Sequence, residues 1–361
     1  MTTPDFSLRK RTALELYRFY RHSQVKSHRL SYLFWECTLR CNLHCLHCGS
    51  DCRSEAIPDM PIADFLGVLD KLRGHVVPAR TLIVLTGGEP LMREDLEEAG
   101  HAFLERGFPW GMVTNGFAMT LPRFERLLAA GLRSMTVSLD GLRVSHDHFR
   151  GHAHSFEKAA ETIQWASCVP GLAFDVVTCV NKENLPELPE IRDLLISLGL
   201  RNWRIATVFP KGRAKGNPIF KLDNAEFRQV FDFIRETRRQ AGIHADYGCE
   251  GFLGPYEKVA RSNPFFCRAG INIGSVLADG SISACPSLRG DYIQGNIYKD
   301  DFFDVWEKRF QVMRDRTWAR KGDCARCRYW RYCEGGSLHL RDEKTGEIAY
   351  CHLKRLGVDI G

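Results

Sequence analysis

Five cysteines fall between positions 37 and 52, and three of them, Cys41, Cys45 and Cys48, have the spacing C-x3-C-x2-C. Three thiolates on one tight loop suit an iron–sulfur cluster better than zinc, because a structural zinc normally takes four ligands and none is forced as a fourth here. One iron then stays open to chelate a small molecule and pass it an electron. A zinc loop recruiting Cys37 or Cys52 is the competing reading. A second group follows far downstream as Cys267-x12-Gly280-x4-Cys285, Cys324-x2-Cys327-x5-Cys333 and Cys351. Taken alone, its C-x2-C-x5-C segment also reads as a zinc ribbon. Cys168 and Cys179 lie in apolar helix and strand contexts and read as core residues, and Cys37 and Cys52 as packing residues beside the first group. His44 and His47 read as hydrogen-bonding neighbours of that group.

The elements that must position these residues show in the hydrophobic pattern. Between 31 and 242, short apolar or β-branched runs alternate with segments of helical period. The runs at 31–37, 81–86, 110–114, 134–139, 173–180 and 202–209 predict six strands. Helices are predicted near 61–73, 94–106, 121–130, 155–167, 187–198 and 223–241. Six βα units in series predict an α/β fold, a parallel sheet curled into a partial (β/α)6 barrel. In such folds the chemistry collects at the C-terminal ends of the strands. There the sequence places the cysteine loop, Gly87-Gly88-Glu89-Pro90, Thr114-Asn115-Gly116 and Ser138-Leu139-Asp140-Gly141.

After residue 245 glycine and cysteine become frequent and the helical period weakens. The expected division is therefore a basic N-terminal extension at 1–30, the barrel at 31–242 and a small Cys-rich α+β domain at 243–361. In the extension, Arg9, Lys10, Arg11, Arg18, Arg21, Lys26 and Arg29 surround Leu14, Leu16, Tyr17 and Tyr20, which reads as a basic helix packed on the domain. The 361 residues carry fourteen cysteines and a formal charge of +6. No apolar run approaches the roughly 18 to 20 residues of a membrane span. The expectation is a soluble cytoplasmic protein whose clustered thiols bind metal rather than pair as disulfides. No dense basic stripe with interleaved aromatics follows residue 30, which argues against nucleic acid as a partner.

In their order and shared position these segments resemble the radical S-adenosylmethionine (SAM) enzymes over about residues 31–210. The triplet matches that family's C-x3-C-x-Φ-C, with His47 at the usually aromatic position. Gly87, Gly88, Glu89 and Pro90 resemble its G-G-E-P segment, which receives the methionine amino group, and Asn115 belongs to the next loop of the same cofactor site. Ser138 and Asp140 are similar to the segment that contacts the ribose or carboxylate. Arg150 resembles a residue that pairs with the methionine carboxylate, and Val180 and Asn181 the segment on which adenine rests. The resemblance implies a [4Fe–4S] cluster on Cys41, Cys45 and Cys48, bound SAM and a reductant such as flavodoxin or ferredoxin. It also implies reductive cleavage of SAM to a 5′-deoxyadenosyl radical, and anaerobic work.

Residues 249–353 resemble a SPASM domain, which implies one or two auxiliary [4Fe–4S] clusters. The second of these keeps Cys324, Cys327, Cys333 and Cys351. The first keeps Cys267 and Cys285, with Cys249 the candidate third ligand. The family's cysteine three residues beyond Cys333 is replaced here, Gly336 being followed by Ser337. Ser337 or His339 completing the site, an open iron and the absence of the first cluster are the alternatives. Pro286 stands where sulfatase-maturing relatives carry an aspartate, which argues against that reaction, although Asp279 or Asp291 is available as a base. The function expected is hydrogen abstraction from a peptide or small-protein substrate for post-translational modification, with an auxiliary cluster accepting an electron. Small-molecule or cofactor biosynthesis of the haem type is the enzymatic alternative, and an iron–sulfur electron carrier or redox sensor is the alternative of another class.

Overall fold

A computed structural model describes residues 6–50, 52, 57–248, 250–342 and 344–361. Its first helix, α1 (Leu8–Ser27), leads into strand β1 (Tyr32–Thr38). Then follow α2 (Ile62–Leu72), β2 (Leu82–Gly87), α3 (Leu96–Glu105), β3 (Trp110–Thr114), α4 (Leu121–Ala129), β4 (Leu132–Ser138) and two helices, α5 (Arg143–Arg150) and α6 (Ser155–Ser167). The series closes with β5 (Ala173–Val180), α7 (Leu188–Ser197), β6 (Asn202–Thr207), α8 (Asn224–Thr237) and β7 (His244–Tyr247). Six strands and six helices stand where the hydrophobic period predicts them, and the α/β parallel barrel is present. The helix α5 and the strand β7 are additions to that expectation.

The helices bury one face each, as their period requires. Phe65, Val68, Leu69 and Leu72 of α2 and Phe227, Val230, Phe231 and Ile234 of α8 are buried at i, i+3, i+4 and i+7. Trp35 of β1 stacks on Phe65 with ring centroids 4.5 Å apart. Asp223 caps α8 in a reciprocal box with Glu226.

The Cys-rich segment joins the same sheet. Strand β8 (Ile273–Val276) pairs in parallel with β1, register Tyr32 to Ile273 and Trp35 to Val276, and β9 (Ser281–Ser283) and β10 (Gly295–Asn296) extend it antiparallel. The ten strands run β10-β9-β8-β1-β2-β3-β4-β5-β6-β7. The stretch after β10 forms α9 (Phe302–Arg309), α10 (Gln311–Arg314) and a 3-10 turn at Thr317–Ala319. Its Trp306, Phe310 and Met313 belong to the same core as Trp35 and Phe65. The short helices α11 (Trp330–Cys333) and α12 (His352–Arg355) complete the chain.

Two readings of single cysteines change. Cys168 is exposed at the C-terminal cap of α6, where the chain has already left the helix face that packs on the sheet. Cys179 is only partly buried and faces His47 and Asp140. Cys37 is buried as expected and donates to the Thr86 carbonyl. Among the described residues no helix is long and apolar enough to cross a membrane.

Candidate active site

The loop of Cys41, Cys45 and Cys48 is held from three sides by backbone contacts that glycines make room for. From β2, Gly88 N–H donates to the Thr38 carbonyl (2.8 Å) and Glu89 N–H to the Arg40 carbonyl (2.9 Å). A Cβ on Gly87 would lie 2.1 Å from Thr38 O and one on Gly88 2.1 Å from Arg40 O, so only glycine permits this approach. From α5, His44 and Leu46 N–H donate to the carbonyls of Arg150 (3.0 Å) and Phe149 (2.8 Å). From the loop after β6, Arg213 donates through its backbone to Cys48 O (3.0 Å) and through Nε to Cys45 O (2.7 Å).

The buttress on the β2 side is itself anchored by a carboxylate. Glu89, buried, accepts from Leu91 N–H, Thr114 Oγ1 and Asn115 N–H at 3.1, 2.7 and 2.7 Å. Burial pushes its carboxyl above the ordinary range in spite of these donors. Asn115 turns its Nδ2 toward Asn42 Oδ1 (2.9 Å) and to 4.0 Å from Cys41 Sγ.

A second buried cluster lies across the loop. Arg150 pairs with Asp140 at 2.6 Å, His47 Nε2 stands 3.0 Å from the same carboxylate, and Arg150 Nη1 donates to Cys45 Sγ at 3.6 Å. Burial alone would raise the Asp140 carboxyl, but Arg150 and then His47 hold it far below its usual range. Asp140 is fixed further by Cys179 N–H (2.8 Å), and its own N–H donates to His146 Nδ1 (3.0 Å). Asn181, also buried, accepts from the N–H groups of Glu183 and Asn184, and Val180 lies in the core. Ser138 ends β4, facing the same end of the sheet. Arg150 Nε and His146 Nε2 are buried without a hydrogen-bond partner. An orphaned guanidinium N–H beside three convergent thiols fits an anionic ligand group held next to a thiolate-bound cluster.

Pairing of the loop thiols fits the same picture. Cys41 is raised to about 11, chiefly by burial, with Cys45 and Cys48 close enough to add to the rise. Cys52 is buried and hydrogen-bonds to Cys48, a contact beyond the packing role that the sequence suggests. His47 is a neighbour of Asp140, and His44 is exposed.

The downstream cysteines divide. Cys324, Cys327 and Cys351 all act on Cys333, which burial and then these neighbours push up, so four thiols converge. An all-sulfur set of this kind suits an iron–sulfur cluster. Arg341, buried, donates to Cys324 Sγ at 3.3 Å. Cys267 faces a small void together with Cys333 and Gly336, while Cys285 is half-buried after β9. Ser337 is buried and its N–H donates to Glu250 O (3.2 Å). Cys249 lies outside the described residues.

Between the cysteine loop and the C-terminal segment opens a cavity of about 690 Å³. Gly49 and Ser50, next to Cys48, form one wall, and Pro286, His339 and Leu340 another. Five basic residues, Lys211, Lys215, Arg289, Arg341 and Lys344, line it against two acidic ones, Asp291 and Asp342. His339 stands beside Phe209 with ring centroids 4.8 Å apart, and burial holds its imidazole down to about 4, so it is neutral at pH 7. This cavity is the feature that sequence reasoning misses, because its walls come from four separate segments, at 49–50, 209–215, 286–291 and 339–349, that meet only through folding.

Comparison with known proteins agrees with the geometry. The Radical SAM superfamily matches residues 35–195, and SPASM, an iron-sulfur cluster-binding domain, matches residues 267–328. The chain is a radical SAM enzyme with a C-terminal SPASM domain. With these domains go a catalytic [4Fe–4S] cluster, SAM and auxiliary clusters. The chain is 27% identical over 340 residues to the AdoMet-dependent heme synthase of Nitratidesulfovibrio vulgaris, covering 89% of this chain and 91% of that one. It is 29% identical over 332 residues to the Fe-coproporphyrin III synthase of Methanosarcina barkeri, covering 83% and 81%. In fold it is similar to Streptococcus suis SuiB bound to precursor peptide SuiA, with a TM-score of 0.69 at 19% identity over 94% of this chain and 80% of that one.

Proposed function

We propose that this enzyme acts on a carboxylate-bearing tetrapyrrole, a small-molecule substrate of haem-type biosynthesis. The observation that carries this reading is the cavity beside the cysteine loop. Its volume of about 690 Å³ falls in the range of cofactor and small-molecule sites. A tetrapyrrole presents broad apolar faces and several peripheral carboxylates. Phe209, Pro210, Pro286 and Leu340 offer apolar wall, and Lys215 and Lys344 offer charge partners, Arg289 being paired with Glu36 and Arg341 engaged with Cys324 and two backbone carbonyls. The likeness to a haem synthase and an Fe-coproporphyrin III synthase supports the same substrate class.

In this reading Cys41, Cys45 and Cys48 hold the catalytic cluster, and SAM is bound by Gly87, Gly88, Glu89, Pro90, Asn115, Ser138, Asp140, Arg150, Val180 and Asn181. Bound there, the cluster and SAM would supply hydrogen-abstraction chemistry by way of a 5′-deoxyadenosyl radical. The chain's own part is to hold and to exclude. The glycine-mediated clamps fix the thiol loop, Arg150 sets a cation beside Cys45, and Asp140 holds Arg150 in place. Cys324, Cys327, Cys333 and Cys351 would hold an auxiliary cluster, which would supply an acceptor for the electron left on the substrate. Cys267 and Cys285, with Cys249, make the candidate first auxiliary site.

The test is turnover. Anaerobically reconstituted and reduced with dithionite, the enzyme is expected to alter iron coproporphyrin III, read by mass spectrometry, and to form 5′-deoxyadenosine in proportion. An unaltered porphyrin, with 5′-deoxyadenosine formed only at the substrate-free rate, counts against the proposal. Peptide modification is the second reading, supported by likeness in fold to the peptide-bound SuiB. Conversion of a precursor peptide in the same assay, with the porphyrin untouched, favours it.

A further inference from the structure

The helix α1 has two faces with different partners. Its inner face grips the turn that carries Cys333. Arg21, buried, donates to the carbonyls of Tyr332 (2.7 Å) and Arg331 (3.0 Å) and pairs with Glu334 at 2.5 Å. Glu15 accepts from Tyr332 Oη at 2.7 Å and pairs with Arg331. Leu14 enters the small core of Phe252, Phe265, Tyr329, Tyr332 and Leu353, against which Cys327, Cys333 and Cys351 pack.

The outer face is apolar where solvent meets it. Among the described residues ten large hydrophobic side chains are exposed, and four of them are on α1: Leu8 (79% exposed), Leu16 (66%), Phe19 (64%) and Tyr20 (52%). Scattered singly such residues are ordinary, but four on one helix mark an interaction surface. The charge around them has one sign. Residues 8–29 hold seven arginines and lysines and one acid; of these Glu15, Arg21 and Lys10 are engaged on the inner side, and Arg18 pairs with Glu15. Arg9, Lys26 and Arg29 are exposed, and the Arg18 guanidinium lies 4.9 Å over the Phe19 ring.

We propose that the outer face of α1 docks an acidic one-electron carrier protein, of flavin or iron–sulfur chemistry, that discharges the cluster held by Cys324, Cys327, Cys333 and Cys351. This rests on the reading above in which that cluster takes the substrate's electron. One electron passes from the reduced cluster to the oxidised carrier, no bond forms or breaks, and the cluster returns to its resting oxidation level. A carrier on this face stands about one helix diameter, roughly 10–12 Å, from the turn of Cys333. The cationic rim calls for an acidic partner, and the apolar centre supplies a desolvated contact. An anionic membrane would satisfy the same charges, but that role gives no reason for the opposite face to grip the cysteine turn.

The test uses full-length reconstituted enzyme and a recombinant flavodoxin as the probe. Binding is measured by calorimetry in 50 mM and 500 mM salt for the wild type and for an Arg9→Glu/Phe19→Ser/Lys26→Glu variant. The wild type is expected to bind, to lose at least about tenfold in affinity at the higher salt, and the variant to lose about as much at low salt, its iron content unchanged. In a second measurement, Cys41/Cys45/Cys48→Ala protein is reduced and mixed with oxidised flavodoxin. Cluster reoxidation is expected to slow about tenfold when the face is also altered. Equal binding and equal reoxidation in both forms overturn the proposal. So does loss of binding to phosphatidylglycerol vesicles with flavodoxin binding intact, or loss of a wild-type dimer in sedimentation with no carrier bound. Absence of a reducible cluster in the triple-alanine protein overturns instead the electron-acceptor reading, and the docking inference with it.

Discussion

At the scale of single residues, the site depends as much on missing side chains as on present ones. Gly88 is the sharpest instance, because a Cβ there meets the Arg40 carbonyl at 2.1 Å and the hydrogen bond that ties the two loops is formed by that same close approach. Gly88→Ala is therefore expected to push the β2 loop away from the thiol loop by about 1 Å. Misplacement of reacting groups on this scale costs about 100-fold in rate. The measurement is 5′-deoxyadenosine formed per minute from SAM, with total iron and sulfide beside it. Near-normal rates in the variant would show that the clamp does not set the geometry. Much of this was legible beforehand: the spacing of Cys41, Cys45 and Cys48 and the paired glycines of the β2 loop are local patterns. The pairing of Asp140 with Arg150 and His47 was not, since the three side chains come from two loops and the end of α5 and meet only through folding. Nor was Glu36, a buried carboxylate in an apolar strand, which pairs with Arg289 and accepts from Ala278 N–H.

At the scale of elements, the strands and longer helices were legible because each repeats an apolar period, and α5 was not because its buried face lacks one. That face consists of Ser145, His146, Phe149 and Arg150, polar but for one residue. The helix instead earns its place through contacts to the thiol loop and to the start of α6. Asp147 caps α6 from outside, accepting from Phe156 N–H (2.8 Å), Ser155 Oγ (2.8 Å) and His154 N–H (3.0 Å). Burial works to raise the Asp147 carboxyl, but the Phe156 N–H and the Ser155 hydroxyl hold it below its ordinary range. A depressed carboxyl stabilises the fold above its unfolded pKa of about 3.9, and the contribution fades as pH falls through the lower folded value. Asp147→Ala is expected to cost about 1 kcal/mol, as caps do. The difference in melting temperature between variant and wild type should be constant from pH 8 to about 5 and shrink below about 4. A difference that persists at the lowest pH would assign the loss to packing instead of the carboxylate.

At the scale of the whole molecule, the joint between barrel and Cys-rich segment is a strand pairing. Strand β8 lies against β1 over four residue pairs, Tyr32 to Trp35 with Ile273 to Val276, across some 240 positions of chain. Short strands with so distant a partner leave no local pattern, which is why composition suggested a boundary at 242–243 and could not show that the sheet crosses it. Three consequences of cutting there follow from the contacts. The edge of β1 loses its partner, Glu36 loses both Arg289 and Ala278, and the core loses Trp306, Phe310 and Met313. A bare edge strand beside exposed aromatic surface is an aggregation template, and a buried carboxylate stripped of its partner costs about 3–5 kcal/mol. A chain of residues 1–242 is thus expected to aggregate and to cleave no SAM, even though it keeps Cys41, Cys45, Cys48 and every SAM-side residue named above. Size-exclusion chromatography of the anaerobically reconstituted fragment, with iron counted and 5′-deoxyadenosine assayed, decides the matter. A monomeric fragment holding about four irons and forming 5′-deoxyadenosine would mean that the barrel folds alone, and that the C-terminal segment joins its sheet only to close the substrate cavity.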